Sequence, residues 1–103
     1  MPSGALTMLV LRILQSGPLH GYAIAQRIHT LSGEVLEAEE GSLYPALQKL
    51  LMEGWVTSSW GISETNRKVR FYRITRDGQA HLKKQIEQYE RVTAAIQGIL
   101  KTA

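Results

Sequence analysis

Between residues 17 and 75, apolar runs of helical period are cut by glycine-bearing stops and then give way to two β-rich runs carrying clustered cations. Leu6, Leu9, Val10, Ile13 and Leu14 recur at i, i+3, i+4, i+7 and i+8, the apolar stripe of an amphipathic helix. Ser16-Gly17-Pro18 ends it, because glycine caps helix ends and proline cannot continue them. A second helix is predicted over residues 20–31, with Tyr22, Ala25 and Ile28 on one face and Ile24 and Leu31 flanking it. Ser32-Gly33 stops that one, and a polar connection over 34–41 follows, with Val35 and Leu36 as its anchors.

A third helix is predicted over residues 43–53, its stripe built from Leu43, Leu47, Leu50 and Leu51. Ser42 reads as its N-cap, since a hydroxyl can accept a free N–H of the first turn. Pro45 reads as a first-turn proline, where no donor is needed, and Gly54 as the stop. Residues 55–60 and 69–75 are rich in β-branched and aromatic side chains, and 61–66 is turn-like, so the pair reads as a hairpin with a long loop. Thr75 reads as the N-cap of a last helix reaching about residue 101, with Asp77 favourable in its first turn. Leu82, Ile86, Tyr89, Thr93, Ile96 and Leu100 alternate spacings of four and three along it, and Val92 and Ile99 widen this heptad seam. The seam points to packing against another subunit; the plainer alternative is a helix folded back on its own head. The fold expected is mainly α with a small β-hairpin, a winged helix-turn-helix head over residues 1–75 and a long C-terminal dimerisation helix over 76–103.

The chain has 103 residues, enough for one modest core, with 44% hydrophobic and 20% charged residues, as in a folded globular domain. The net charge of +3 is weak evidence of anything, but its distribution is uneven. Glu34, Glu37, Glu39 and Glu40 make one segment acidic, and Arg67, Lys68, Arg70, Arg73 and Arg76 fall within ten residues, a cluster able to attract phosphate. With no cysteine, disulfides, thiolate metal sites and cysteine nucleophiles are excluded. No apolar run approaches a membrane span, and Arg12 interrupts the N-terminal apolar stretch, so a cytoplasmic protein without a signal peptide is expected. His20, His29 and His81 lack metal-ligand spacing, Glu39 and Glu40 are adjacent rather than opposed, and no phosphate-cradling glycine motif occurs. Neither an enzyme nor a bound cofactor is expected.

Gly17-Pro18-Leu19-His20-Gly21-Tyr22, Gly41-Ser42-Leu43-Tyr44-Pro45-Ala46-Leu47, Glu53-Gly54 and Phe71-Tyr72-Arg73-Ile74-Thr75 together resemble the PadR family of bacterial transcriptional regulators. The resemblance covers nearly the whole chain and fits the short branch of that family, in which one helix follows the wing. It implies a winged helix-turn-helix head, a C-terminal dimerisation helix and repression relieved by a signal. Family members sense varied small molecules or act with no known ligand.

The third helix is the candidate for the major groove. Ser42 and Tyr44 offer hydroxyls to phosphate, Gln48 an amide that can pair twice with adenine, and Lys49 a cation for guanine or phosphate. Ser42 as a mere cap and Tyr44 as a packing ring are the plainer readings. Asn66, Arg67, Lys68 and Arg70 lie at or beside the hairpin tip, suited to phosphate or to the minor groove; the plainer reading is a solvated edge strand blunted by charge. Arg73, Trp55, Tyr22 and His20 are expected to be structural, and Trp60, nearer the hairpin tip, less firmly so. An effector pocket, if present, is expected in the cleft between two heads and paired C-terminal helices, with Leu6, Val10, Tyr89 and Val92 as lining residues. The partners expected are double-stranded operator DNA, a second copy of the chain and a small-molecule effector, with no membrane. The competing reading is a winged-helix protein-interaction module without specific DNA binding, since fold alone does not fix function.

Overall fold

The computed structural model describes residues 4–102. Its elements are α1 (Ala5–Leu14), β1 (Leu19–His20), α2 (Gly21–Leu31), α3 (Glu40–Met52), β2 (Val56–Ile62), β3 (Lys68–Ile74) and α4 (Arg76–Thr102). The strands form one antiparallel sheet in the order β1-β3-β2.

Helix α1 is the hub, packed against α2, α3, α4 and β3. It therefore buries more than one stripe: Leu11, outside the expected periodic series, is as fully enclosed as Val10 and Leu14. The inward face of α2 is set by Ile24 and Ile28, whereas Tyr22 and Leu31, expected on or beside that face, are exposed. His20 is the N-cap of α2, its Nδ1 accepting the Ala23 N–H at 3.4 Å. Both α2 and α3 end in the same way. Gly33 and Gly54 take positive φ, and the following N–H groups of Glu34 and Trp55 reach back to the carbonyls of His29 (2.8 Å) and Leu50 (3.0 Å).

Helix α3 begins three residues before the expected start. Glu39 is its N-cap and makes no side-chain capping bond. The backbone N–H groups of Ser42 and Leu43 both reach the Glu39 carbonyl, at 3.0 and 2.8 Å. Ser42 is thus inside the first turn and is not the cap. The acidic Glu40, favourable at the positive end of a helix, occupies that extra turn. Pro45 accordingly lies beyond the first turn, where its ring supplies no N–H to the Gly41 carbonyl.

The hairpin is longer and its loop shorter than expected, because Gly61 and Ile62 pair with Val69 and Lys68. The tip is closed by the Ser63 N–H on the Arg67 carbonyl (2.8 Å) and by the Arg67 N–H on Ser63 Oγ (3.2 Å), with Asn66 at positive φ. Strand β1 was absent from the expected elements. Its two residues, paired Leu19 to Tyr72 and His20 to Phe71, are too few to show a period.

Thr75 joins three elements at the start of α4. Its N–H donates to the Trp55 carbonyl (3.0 Å), its hydroxyl donates to the Gly54 carbonyl (2.7 Å), and the same oxygen accepts the Gly78 N–H (3.0 Å). Six residues on, His81 stacks on Trp55 with ring centroids 3.5 Å apart. Leu82, expected in the intersubunit seam, is instead enclosed in the chain's own core, and Ile86 packs against that core. The first turns of α4 face α1, which fills the space a second subunit was expected to fill. Further along α4, Tyr89, Val92, Ile96, Ile99 and Leu100 are exposed and Thr93 is half-buried. The described chain measures 54 × 29 × 22 Å, its length set by α4.

Candidate nucleic-acid interface

Because Leu43, Leu47 and Leu50 anchor α3 in the core, its opposite face is fixed toward solvent. That face carries Gly41, Pro45, Gln48 and Met52, with Tyr44 on one flank and Ser42 and Lys49 on the other, all exposed. Tyr44 is only 51% exposed, since its phenol leans over the start of α2 and would lie 3.5 Å from a Cβ placed on Gly21. Part of the ring is thus covered by packing and part remains open to solvent.

Antiparallel register sets the wing. Trp60 pairs with Arg70, so both side chains emerge on one face of the hairpin. Lys68 Nζ lies 5.0 Å and the Arg70 guanidinium 5.6 Å from the centre of the Trp60 ring. Arg70 also donates to Ser58 Oγ across the strands. Asn66 and Arg67 are exposed at the tip, and Arg73 is exposed farther down β3.

The Tyr44 flank of α3 and the wing meet. A groove of about 310 Å3 runs between them, lined by His20, Gly21 and Tyr22 of β1–α2, Tyr44 of α3, and Trp60, Lys68, Arg70 and Tyr72 of the hairpin. The structure therefore brings Tyr44, Lys68 and Arg70 together, while Ser42, Gln48 and Lys49 lie on the α3 face outside this groove and Asn66 and Arg67 lie at the tip. Tyr22 and Trp60 belong to the groove, although the sequence reading gave neither a contact role. Trp60 could have been recognised from its cross-strand position opposite Arg70, and Tyr22 from a helix phase set on Ile24 and Ile28. Burial raises the Tyr72 phenol above its ordinary 10.0, against the opposing pull of the Arg70 charge. His20 is buried, and its Nδ1 accepts the Ala23 N–H. Its Nε2 has no hydrogen-bond partner among the described residues; Glu64 Oε1 stands 3.7 Å away, outside hydrogen-bond reach.

A second, apolar groove of about 690 Å3 opens on the far side, between α1 and α4. Met8, Leu9, Leu36, Tyr89 and Val92 line it, with His81 and Gln85 among its polar groups. Leu6 and Val10, expected to line an effector pocket, point instead into the closed core, because α1 is surrounded by other elements. Among the described residues no cluster of His, Asp or Glu is arranged to hold a metal ion, and no helix is long and apolar enough to cross a membrane.

Residues 10–84 match the Transcriptional regulator PadR-like family. The chain belongs to the PadR-like family. It is 32% identical over 73 residues to the negative transcriptional regulator PadR of Bacillus subtilis (strain 168), a match covering 71% of this chain and 40% of that protein. Among solved structures it is similar to a transcriptional regulator from Clostridium thermocellum, with a TM-score of 0.84, 29% identity and 92% of each chain covered. It is also similar to Bacillus subtilis PadR in complex with operator DNA, with a TM-score of 0.71, 29% identity, and 82% of this chain and 48% of that chain covered. This PadR-like chain thus spans less than half the length of the Bacillus subtilis protein.

Proposed function

We propose that this PadR-like chain is a sequence-specific DNA-binding regulator, a homodimeric repressor whose head (residues 1–75) reads an operator and whose arm (76–103) pairs with a second copy. The observation that carries the reading is a groove in which Tyr44, on the flank of the exposed α3 face, stands with Lys68 and Arg70 of the cationic wing. The Bacillus subtilis relative is a negative transcriptional regulator with a structure on operator DNA, which supports repression through DNA.

In this reading Gln48 reads a base edge, Ser42, Tyr44 and Lys49 flank it on phosphate or bases, and Asn66, Arg67, Lys68 and Arg70 hold the backbone beside it. Two copies place two α3 helices in successive major grooves, with half-sites about one helical turn (~10 bp) apart or somewhat more. Tyr89, Val92, Thr93, Ile96, Ile99 and Leu100 supply the intersubunit seam. A small apolar effector entering the groove between α1 and α4 would alter the separation of the heads and relieve repression.

Two variants divide the reading into testable parts. Lys68→Ala weakens binding to all sequences alike and lowers the log–log salt slope by about 0.9. Gln48→Ala costs about 1–3 kcal/mol on the preferred site and relaxes discrimination there. Fluorescence-anisotropy titrations across a salt series measure both. Binding indifferent to salt contradicts the reading and leaves a protein-interaction module, whereas sequence discrimination unchanged by Gln48→Ala removes Gln48 as the base reader.

A further inference from the structure

The groove between α2, α3 and the wing contains more aromatic surface than a set of phosphate-binding cations needs. Tyr22 is 71% exposed, Trp60 is 63% exposed, and neither is part of the core. Large aromatic side chains left open to solvent in one concavity mark a contact surface, because their exposure to water is unfavourable until a partner covers them. The partner's chemistry is set by what stands among the rings. Lys68 and Arg70 flank Trp60 at cation–π distance, so a positively charged ligand is disfavoured there and an anion is favoured. A partner with an anionic group and an apolar body is required, and one repeat of a DNA backbone, phosphate plus deoxyribose, has both.

Resting on the DNA-binding reading above, we propose that this groove seats one sugar–phosphate segment of the DNA backbone. The phosphate lies on Lys68 and Arg70, and the deoxyribose packs on Trp60, Tyr22 and the free part of Tyr44. Trp60 has a second task as a positioning residue. Its ring holds two flexible cations on the groove side of the hairpin, aided by the Arg70 bond to Ser58 Oγ. The seat joins α2, α3 and the wing, so backbone contact in it fixes how deep and at what angle α3 enters the major groove. Trp60 and Tyr22 therefore act on the register of base reading without touching a base.

Intrinsic fluorescence tests this directly, because the other tryptophan, Trp55, is covered by His81 on another part of the molecule. A short mixed-sequence DNA duplex at low ionic strength is the probe, so no operator needs to be known. Duplex addition should change the Trp60 emission, identified as the part of the signal lost in Trp60→Phe. Trp60→Ala and Tyr22→Ala should each weaken duplex binding about fivefold to tenfold. Trp60→Phe should keep most of the affinity, and all variants should melt within about 3 °C of the parent, as exposed residues do. Parent-level affinity and salt slope in Trp60→Ala and Tyr22→Ala overturn the seat while leaving the DNA-binding reading intact. No duplex binding by the parent chain overturns both. Inorganic phosphate at matched ionic strength changing the Trp60 emission as strongly as duplex overturns the sugar–phosphate assignment in favour of a simple anion site.

Discussion

A Cβ placed on Gly78 would lie 2.1 Å from the Trp55 carbonyl oxygen and 2.9 Å from the Ile74 side chain. The nearest atom is backbone and cannot swing aside, so Gly78→Ala must push α4 off the start of β2. The expected loss is about 1–3 kcal/mol, the range for overpacking a fitted site, read from chemical denaturation. A neighbouring residue responds to pH. Burial against Trp55 lowers the His81 pKa below its ordinary 6.5, an effect opposed by Glu53 and reinforced by Lys49 and Lys84. The unfolded chain then binds the proton more readily than the folded one, so the contribution is intact above pH 6.5 and is lost as pH falls through the folded value. His81→Phe keeps a ring on Trp55 but cannot titrate. Its melting temperature should fall less than that of the parent between about pH 8 and pH 5, where histidine changes charge; parallel curves would refute the linkage. Neither the Gly78 contact nor the Trp55–His81 stack was legible in the sequence, since each depends on the angle at which α4 leaves the sheet.

At the scale of elements, the signals that held were those with a single local cause. Thr75 caps α4 as its position implied, and Gly33 and Gly54 stop their helices through positive φ and back-reaching N–H groups. Ser42 misled because a hydroxyl before an apolar run is the usual mark of a cap, whereas the helix took in one further turn from Glu40. Substitution separates the two. Thr75→Ala removes the acceptor for the Gly78 N–H and the donor to Gly54, and should cost about 1–2 kcal/mol. Ser42→Ala should change stability by less than about 0.5 kcal/mol, as at an exposed helical position free of capping. Equal losses from both would restore Ser42 as the cap. Of the proposed DNA-contact residues, the α3 and wing positions were legible from residue type and order. The groove that joins some of them was not, because it is created by the cross-strand register and by the phase of α2, which a two-residue β1 helps to set.

At the scale of the molecule, α4 changes character along its length. Its first turns complete the chain's own core through Gly78, Leu82 and Ile86, and its later turns leave Tyr89, Ile96, Ile99 and Leu100 open to solvent. The heptad spacing ran through both parts without a break, so sequence period alone did not mark where intrachain packing ends. In the proposed dimer the later turns are the seam, and Ile96→Arg places a charge in it once from each copy. Sedimentation equilibrium should show a dimer for the parent chain and a dissociation constant raised at least about a hundredfold for the variant, because the buried charge lacks a partner. A parent chain that remains monomeric would remove the seam. The decisive measurement is selection of fragmented genomic DNA from the organism that carries this chain, at moderate salt, followed by sequencing of what is retained. Recovery of a few sites sharing a two-fold symmetric motif is the result a dimeric operator-binding repressor predicts. Uniform recovery across the genome, or none from an intact dimer, would contradict it.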